Sequence, residues 1–311
     1  MLTSAAQVKT RTATRPAYRG FRASIVRAEQ LSPSFRRITF GGPELADFGT
    51  AGLDQRVKVV LPHPERGFAD FPTGEDWYYA WRQLPVVRRN VFRTYTVRAV
   101  RPELHEVDID FVCHGDTGPA SAWAIRAEAG DEVVLVGPDE QSEGRTLGID
   151  WRPGDVDRML LVADETAVPA ASAIIEALPA DARGAVFLEV PAGDDRLELR
   201  APAGIRVEWI PRRAGQVHGD GLLPAVRGWL GLEGGPAVAG APAASTAEPA
   251  DEGVFWEVPE GTSADGPLYA WMAGEASAIK ALRRMLVQEA GIDRRQVAFM
   301  GYWRRGKSEL D

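Results

Sequence analysis

The stretch RTYTVR, residues 93–98, carries side chains that could hold a flat, negatively charged cofactor. Successive side chains of a β-strand point to opposite faces, so Arg93 and Tyr95 would share one face while Thr94 and Thr96 share the other. An arginine can neutralise a pyrophosphate, and a tyrosine ring can stack on an aromatic ring system. The alternative is an ordinary amphipathic strand whose arginine lies along the surface. The stretch alone leaves both interpretations open.

A second candidate site begins at His114, where the sequence reads HGDTGPASAWAIRAEA. The backbone of a Gly-rich turn can approach an anion closely, and the start of the following helix adds a partial positive charge. Ser121 would lie near that helix start, either as its cap or as a phosphate ligand. His114 is either a packed residue that ends a strand or a cofactor ligand. Because this turn follows the Arg-Tyr-Thr strand, the pair is more specific for a cofactor site than either motif alone.

A third candidate is LLVADETAVPAASAIIEAL, in which a buried strand runs directly into Asp164, Glu165 and Thr166 and then into a helix. Open α/β sheets bind ligands at such carboxyl ends of strands. No GxGxxG fingerprint is present, and a capping Thr166 without a ligand is the alternative. Near the end of the chain, WMAGEASAIKALRRML repeats the design with Gly274, Glu275 and Ala276 between strand and helix.

The elements that would position these residues fall into two types. Residues from about 18 to 150 show short alternating or apolar runs separated by Gly, Pro and Asp, which predict a small antiparallel β-barrel or sandwich. After residue 153, buried strands alternate with helices, which predicts a doubly wound parallel α/β domain. We therefore expect a disordered N-terminus (1–15), a barrel domain (16–153) and an α/β domain (154–311), with a loose Ala/Gly/Pro-rich insertion at about 233–250.

Composition excludes several classes of function. The single cysteine, Cys113, cannot form an internal disulfide, which fits a reducing cytoplasm, and a net charge of −8 argues against nucleic-acid binding. The four histidines are scattered without metal-ligand spacing, so no metal site is predicted. The apolar runs are shorter than the roughly 20 residues that span a bilayer, and the first residues lack a secretory signal. We expect a cytoplasmic protein without a membrane span.

Together, these motifs resemble a known family. An Arg-x-Tyr-Thr strand, a Gly-x-x-Ser helix start and a following nucleotide domain are similar to the ferredoxin-reductase superfamily of flavoenzymes. The strings HGDTGPASAWA, ADETAVPA, AGEASAIKALRRML and GYWRRGKSE resemble more closely the siderophore-interacting proteins, which are FAD-dependent ferric-siderophore reductases. The resemblance extends from about Tyr18 to Glu309, apart from the insertion.

The resemblance implies a non-covalent FAD, a reduced nicotinamide nucleotide (NADPH or NADH) and a ferric siderophore as substrate, with no catalytic side chain required. The implied FAD contacts are Arg93, Tyr95, Thr96, His114, Gly118, Pro119, Ala120, Ser121 and Trp123. The implied nucleotide contacts are Asp164, Glu165, Thr166, Ala167, Gly274, Glu275 and Ala276. Tyr302 and Trp303 would pack near the flavin. Lys58, Arg304, Arg305 and Lys307 would attract an anionic chelate. For Tyr302, Trp303, Arg304 and Arg305 the alternative is a strand end that closes the sheet with a solvated basic tail.

Other functions stay open at this stage. A related reductase could pass electrons to a protein partner, although one cysteine cannot ligate an iron–sulfur cluster within this chain. A siderophore-binding module without turnover is the non-enzymatic alternative, and a ferredoxin could replace the nicotinamide as donor. Asp194 and Asp195 would suit the ribose diol of NADH, whereas Arg212 and Arg213 could reach the 2′-phosphate of NADPH.

Overall fold

The computed structural model describes residues 15–115, 118–232, 256–259 and 267–306. Apart from residue 15, the predicted disordered N-terminus lies outside the described residues, as do the insertion at 233–250 and Lys307. The described strands and helices are, in chain order, β1 (Tyr18–Gln30), β2 (Phe35–Gly41), β3 (Arg56–Val60), α1 (Trp77–Gln83), β4 (Phe92–Thr96), β5 (Ala99–Arg101), β6 (Glu106–Val112), α2 (Pro119–Arg126), β7 (Glu132–Pro138), β8 (Met159–Ala163), α3 (Val168–Ala177), β9 (Gly184–Val190), β10 (Ile205–Pro211), α4 (Leu222–Trp229), β11 (Trp256–Glu257), β12 (Tyr269–Glu275), α5 (Ala276–Arg284) and β13 (Val297–Trp303).

The first seven strands form one antiparallel sheet in the order β4-β3-β7-β1-β2-β6-β5. A bend between its two edge strands closes this sheet into a barrel. The N–H of Val97 donates to Gln55 beside β3 at 2.8 Å, and the N–H of the next residue, Arg98, donates to Asp108 of β6 at 2.8 Å. One continuous stretch of chain thus pairs with both sides of the sheet. Alternate apolar side chains of these strands, such as Phe21, Ile38 and Leu135, fill the interior.

The later strands form a second sheet in the order β10-β9-β8-β12-β13-β11, parallel except for the short antiparallel edge strand β11. Side chains of β8 alternate between its two faces. Leu161 packs in the cluster that holds α3, and Leu160 packs in the cluster that holds α4 and α5. Burial on both faces explains why β8 reads as a continuous apolar run. The predicted fold class, a barrel followed by a doubly wound α/β sheet, is confirmed.

The order of the second sheet creates a crevice at its carboxyl edge. The chain moves outward in one direction from β8 through β9 to β10, and then returns to place β12 and β13 on the other side of β8. The point between β8 and β12 is therefore the topological switch point, where ligands bind in open α/β sheets. Asp164 follows β8, and Glu275 ends β12, so both lie at this point.

Two helices were not predicted from the sequence. Helix α1 interrupts the β-rich half because Trp77 and Trp81, four residues apart, bury their rings against Phe92 on the outer face of the barrel. Helix α4 buries Leu222 and Val226 by the same spacing. The exact domain bounds at 153 and 154 stay a prediction. Within the described ranges, no helix combines the length and the apolar composition needed to cross a membrane.

Candidate functional site

Strand β4 places Arg93 and Tyr95 on one face, as predicted. In its register with β3, Tyr95 lies opposite Val57 and Arg93 opposite Val59, and both valines belong to the buried barrel core. The Tyr95 ring lies 4.4 Å from the ring of Phe111, and Arg93 Nη1 donates to the carbonyl of the preceding residue at 2.8 Å. Both side chains are only partly buried, so they lie where the barrel core meets its surface.

The other face of β4 carries Thr94 and Thr96, opposite Lys58 and Arg56 of β3. Lys58 Nζ donates to Thr94 Oγ1 at 2.8 Å. Thr96 is 5% exposed, so its hydroxyl lies in a protected position at the end of the strand. The predicted flavin contact Thr96 and the predicted substrate contact Lys58 therefore share one face.

Helix α2 covers the end of the barrel beside Tyr95. Ala120 and Ala124 are buried in the barrel core, and the Trp123 ring lies 5.8 Å from Phe111, which also contacts Tyr95. Pro119 occupies the first turn and Gly118 precedes it in extended conformation. The start of α2, with its unpaired N–H groups, thus lies next to the Tyr95 strand.

The Ser121 side chain joins the helix to the preceding loop. Its hydroxyl accepts the N–H of His114 at 3.0 Å and donates to the carbonyl of Gly115 at 2.7 Å. The N-cap residue of this helix is Gly118, which has no side chain to cap it. His114 is exposed in part, but the protein around the remainder of its ring lowers its pKa, with contributions from charged groups of the second sheet. The loop therefore faces the α/β domain.

The geometry at this loop fits the FAD that the motif implies. A Cβ placed on Gly115 or Gly118 would meet no atom within 4 Å, and Gly115 has a φ of +75°. Two glycines thus line open space directly in front of the start of α2, which suits a pyrophosphate. The Tyr95 ring next to this helix suits an aromatic ring system.

At the crevice of the second sheet, Asp164 joins three strand ends. Its Oδ1 accepts the N–H and hydroxyl of Thr166 at 2.9 and 2.6 Å, and its Oδ2 accepts the Glu275 N–H at 2.7 Å and Trp303 Nε1–H at 2.9 Å. Burial, together with the neighbouring carboxylate of Glu165, raises its pKa to about 6. The Thr166 hydroxyl bonds to Asp164 and does not cap α3. The next residue, Ala167, is fully buried. Through these bonds, Asp164 holds the ends of β8, β12 and β13 together at the crevice.

Glu165 lies in a buried charge network. Its two oxygens accept both Nη groups of Arg212 at 2.6 and 2.5 Å, and Oε1 also accepts His218 Nε2 at 2.9 Å. Arg212 reaches a second buried carboxylate, Glu189, at 3.1 Å. Burial alone would raise the pKa of Glu165, but the bonds from His218 and Arg212 outweigh it and lower the pKa to about 2. Glu165 is therefore ionised throughout the physiological range.

Gly274, Glu275 and Ala276 form the turn from β12 into α5. A Cβ on Gly274 would lie 2.6 Å from Asp164 Cγ, and its φ is +149°, so only glycine allows this close approach. Glu275 Oε2 accepts the N–H groups of Ser277 and Ala278 at 2.7 and 3.0 Å and thereby caps α5. Ala276 is the first residue of that helix.

The end of β13 brings aromatic side chains to the same edge. The Trp303 ring lies 4.6 Å from His218 at an interplanar angle of 82°. Tyr302 stacks on Trp256 at 5.5 Å, and the guanidinium of Arg56, from the barrel, lies 4.7 Å from the Trp256 ring centroid. Burial raises the pKa of Tyr302 well above its usual value. Arg304 and Arg305 follow with exposed side chains.

Two of the four residues that were considered for coenzyme preference, Asp195 and Arg212, have side-chain partners within the protein. Asp195 is fully buried and accepts Ser32 Oγ at 2.8 Å, Ser34 N–H at 2.7 Å and Ser34 Oγ at 3.0 Å, all from the β1–β2 turn of the barrel. The guanidinium of Arg212 is held by Glu165 and Glu189. A ribose at Asp195 or a 2′-phosphate at Arg212 would have to displace these bonds, so the coenzyme preference stays a prediction. Asp194 and Arg213 are exposed.

The structure thus gathers most of the predicted residues into two groups, one at β4 and the start of α2 and one at the crevice of the second sheet, and charged groups of the crevice act on His114 of the first group. His218 and Glu189 were not found from the sequence, although both follow the rule that carboxyl ends of parallel strands meet at one edge. Within the described ranges, no group of three or more His, Cys, Asp or Glu side chains is arranged to hold a metal.

Two family models match the chain. One, described as the siderophore-interacting FAD-binding domain, matches residues 24–142, and the other, described as siderophore-interacting protein, matches residues 156–306. The ferric vibriobactin reductase ViuB of Vibrio cholerae is 30% identical over 284 residues, which cover 91% of this chain and 89% of ViuB. An NADPH-dependent ferric-chelate reductase of Escherichia coli is 35% identical over 156 residues, which cover 50% of this chain and 56% of that protein.

Solved structures agree with these matches. A siderophore utilization protein from T. fusca superimposes with a TM-score of 0.70 at 30% identity, covering 96% of this chain and 97% of the other. The ferredoxin reductase of carbazole 1,9a-dioxygenase superimposes with a TM-score of 0.57 at 16% identity, covering 92% of this chain and 70% of the other, which shows a shared fold.

Proposed function

The chain belongs to the siderophore-interacting protein family, and from that premise we propose that it is a ferric-siderophore reductase that uses FAD and NADPH. The observation that carries this proposal is the open space lined by Gly115 and Gly118 at the start of α2, which lies beside Tyr95. Charged groups at the switch point of the second sheet act on His114 in the same loop. Bound FAD supplies the conversion of a two-electron hydride from a reduced nicotinamide into single electrons for two Fe(III) ions. Oxygen donors hold Fe(III) more tightly than Fe(II), so reduction favours release of the iron.

The protein residues bind and orient the reactants. Arg93 and the start of α2 would neutralise the pyrophosphate of FAD, Tyr95 would lie against its ring system, and Thr96 would offer a protected hydroxyl to the ring edge. The Asp164–Glu275–Trp303 bonds and the Glu165–Arg212–Glu189 network hold the floor of the crevice for the nicotinamide. Lys58 and the exposed Arg304 and Arg305 provide positive charge for an anionic chelate.

NADPH is the donor we propose, because the related Escherichia coli protein is named for it and because Asp195 is held by the barrel. Reduced ferredoxin as an alternative donor stays a prediction, as does the cytoplasmic location of the reaction. Each donor can be tested in the half-reaction described next.

The test separates two half-reactions under anaerobic conditions. We expect the purified chain to be yellow, NADPH to bleach the flavin absorbance, and a ferric siderophore to restore it with formation of Fe(II). A flavin that NADPH bleaches but no ferric chelate restores would contradict the proposal and favour a protein acceptor. A chain that binds ferric chelates without flavin would favour a non-catalytic binding module.

Arg93 gives a direct test of the flavin site. We expect Arg93→Ala to weaken FAD binding by roughly 10- to 100-fold, since a hydrogen bond to a charged group contributes about 1.5–3 kcal/mol. Arg93→Lys, which keeps the charge, is the matched control and should lose less. Full flavin occupancy and unchanged affinity in Arg93→Ala would show that RTYTVR does not hold the pyrophosphate.

A further inference from the structure

Helix α2 packs on the barrel mainly through small side chains. The helix has eight residues, and its buried residues are Ala120, Ala122 and Ala124. An alanine side chain offers a single methyl group, and isolated helices shorter than about 12 residues are marginal in water. Trp123 adds one aromatic contact, because its ring stacks on that of Phe40 at 6.4 Å. The position of α2 on the barrel therefore depends on polar contacts as well.

Arg36 of β2 supplies such a contact at the carboxyl end of α2. Its Nη1 donates to the carbonyl of Ala124 at 2.7 Å and also to the carbonyl of Ile125, and its Nη2 donates to the carbonyl of Ala127 at 2.9 Å. The last carbonyls of an α-helix have no partner within the helix. One guanidinium thus bonds two carbonyls of the last turn and that of the C-cap residue, and its positive charge lies at the negative end of the helix dipole.

Arg36 also lies next to a residue that contacts the predicted flavin site. In the register of β2 with β6, Arg36 is opposite Phe111, so the two side chains point to the same face of the sheet. The Phe111 ring lies 4.4 Å from that of Tyr95 and 5.8 Å from that of Trp123 on α2. Arg36 therefore joins α2 to the part of the barrel that carries Tyr95.

The two ends of α2 have different tasks. The amino end follows Gly118 and borders the open space that suits a pyrophosphate, whereas the carboxyl end is bonded to Arg36. Eight helical residues span about 12 Å. This exceeds both hydrogen-bond reach and the Debye length of about 10 Å at 0.1 M ionic strength. Arg36 can therefore affect an anion at the amino end mainly through the position of the helix.

We propose that Arg36 is a positioning residue for FAD, which holds the carboxyl end of α2 on β2 so that the N–H groups at the amino end face the pyrophosphate. This rests on the proposed ferric-siderophore reductase function and adds a residue that does not itself contact the cofactor. When a binding-competent position is occupied for only a fraction of the time, the apparent Kd rises by the reciprocal of that fraction. Bound FAD in turn stabilises the helix, so the two ends of α2 are thermodynamically coupled.

The test compares two substitutions of Arg36 in the full chain. Arg36→Gln removes the charge and the forked donor group, and we expect the Kd for FAD to rise roughly tenfold, which corresponds to a helix in place for about a tenth of the time. Arg36→Lys keeps a positive charge at the helix end and should recover part of this loss. Dilution of the FAD-loaded protein followed by flavin fluorescence gives the Kd. In Arg36→Gln, hydrogen exchange across residues 119–127 should be faster than in the parent, and FAD should slow it.

Arg37→Gln is the matched control, because Arg37 is the next residue on β2, points to the opposite face and donates to both oxygens of Asp110 at 2.7 and 2.8 Å. It should lower the free energy of unfolding but leave the Kd for FAD and the exchange of residues 119–127 as in the parent.

Three results would overturn the positioning role of Arg36. They are an unchanged Kd in Arg36→Gln, an equal rise of the Kd in Arg36→Gln and Arg37→Gln, and a raised Kd without faster exchange across residues 119–127. A parent chain that binds no FAD would contradict the proposed function instead, so the two failures are distinguishable.

Discussion

At the scale of the residue, Asp164 and Glu165 show how environment separates two neighbouring carboxyl groups. Both are buried, but Asp164 lies beside another carboxylate, which helps to raise its pKa to about 6, whereas Arg212 and His218 lower that of Glu165 to about 2. Removing one member of such a buried set leaves the remaining charge uncompensated. The side chains of Asp164 and Glu165, in the motif that resembles a nucleotide loop, therefore hold the structure of the crevice.

Gly274→Ala should damage this crevice. The new methyl group would lie 2.6 Å from Asp164 Cγ, on a backbone with φ of +149°. We expect a loss of roughly 3 kcal/mol or more in the free energy of unfolding, from strain and overpacking. Denaturant unfolding followed by tryptophan fluorescence measures it.

Gly228→Ala is the control for this substitution. Gly228 lies in α4, is exposed, and would meet no atom within 4 Å through a Cβ. Its replacement should stabilise the chain by about 0.5–1 kcal/mol. Equal stabilities of the two variants would mean that Asp164 moves away from residue 274 without cost.

At the scale of the element, the connection after β9 joins the two sheets. Asp195 accepts hydrogen bonds from Ser32 and Ser34 of the barrel and from Ala192 of its own turn. A carboxylate in this position of a nucleotide-binding fold often contacts ribose, which is why sequence reasoning assigned it to the coenzyme. A ribose at this carboxylate would have to displace the tertiary contact with the β1–β2 turn.

Asp195→Ala should lower the free energy of unfolding by about 1–3 kcal/mol, because the buried Ser32 hydroxyl and the half-buried Ser34 N–H would lose their acceptor. Asp194→Ala, at the exposed neighbouring position, should change it by less than about 0.5 kcal/mol. Thermal unfolding with bound FAD compares them. If Asp195→Ala instead kept its stability and raised the KM for NADH, the residue would be a ribose ligand after all.

The turn before β3 gives a second contact between the sheets, and it depends on pH. Asp54 is 1% exposed and accepts Trp271 Nε1–H at 3.0 Å and the Trp151 N–H at 3.1 Å. Burial, with help from the Asp150 carboxylate, raises the pKa of Asp54 from 3.8 to about 6. The folded state therefore binds this proton more tightly than the unfolded state. Its contribution to stability is full below about pH 4 and is lost as the pH rises through about 6.

Asp54→Asn removes this titration. We expect the stability advantage of the parent over the variant to shrink between about pH 4 and pH 7, as measured by urea unfolding at several pH values. A difference in the free energy of unfolding between parent and variant that is constant or grows with pH would show that Asp54 is ionised in the folded state throughout. Asp70→Asn is the control, because Asp70 lies in an exposed ion pair with Arg66 away from this contact.

Particular residues show what the sequence could predict. Strand alternation and helix starts placed Arg93, Tyr95, Asp164 and Gly274 on the right elements, since those signals are local. The Asp195 contact, the Glu165–Arg212–His218 network and the packing of α1 on Phe92 depend on residues far apart in sequence. No local pattern encodes such pairs, so they required the structure.

At the scale of the whole molecule, the chain is acidic, but two arginines follow the carboxyl end of β13 beside the crevice. Arg304 and Arg305 are exposed and follow the aromatic residues of β13, and the chain has a net charge of −8. A local excess of positive charge at this strand end would concentrate an anionic chelate there, while the net negative charge of the chain as a whole repels it.

Arg304→Ala combined with Arg305→Ala should slow reduction of an anionic ferric catecholate while leaving FAD binding intact. The loss should appear in the second-order rate constant and shrink as salt rises, because salt screens exposed charges beyond about 10 Å at 0.1 M ionic strength. A neutral ferric hydroxamate should be less affected. Stopped-flow reoxidation at several ionic strengths provides the measurement.

Two other results would reassign the pair. Unchanged rates for both substrates at every ionic strength would make the arginines a solvated strand end. Slower bleaching by NADPH would make them nucleotide ligands.

The place where the barrel closes, at Val97 and Arg98, links FAD binding to the stability of the fold. The residues that would hold FAD, 93–96, lie on the chain segment that closes the barrel through Val97 and Arg98. A ligand that binds residues 93–96 also stabilises the closure of the barrel at Val97 and Arg98. The affinity for FAD and the free energy needed to open the barrel are therefore linked. At a free FAD concentration one hundred times its Kd, that linkage adds about 2.7 kcal/mol to the folded state. Supply of flavin in the cell would therefore set how much of the newly made chain survives proteolysis, as well as how much of it can reduce iron.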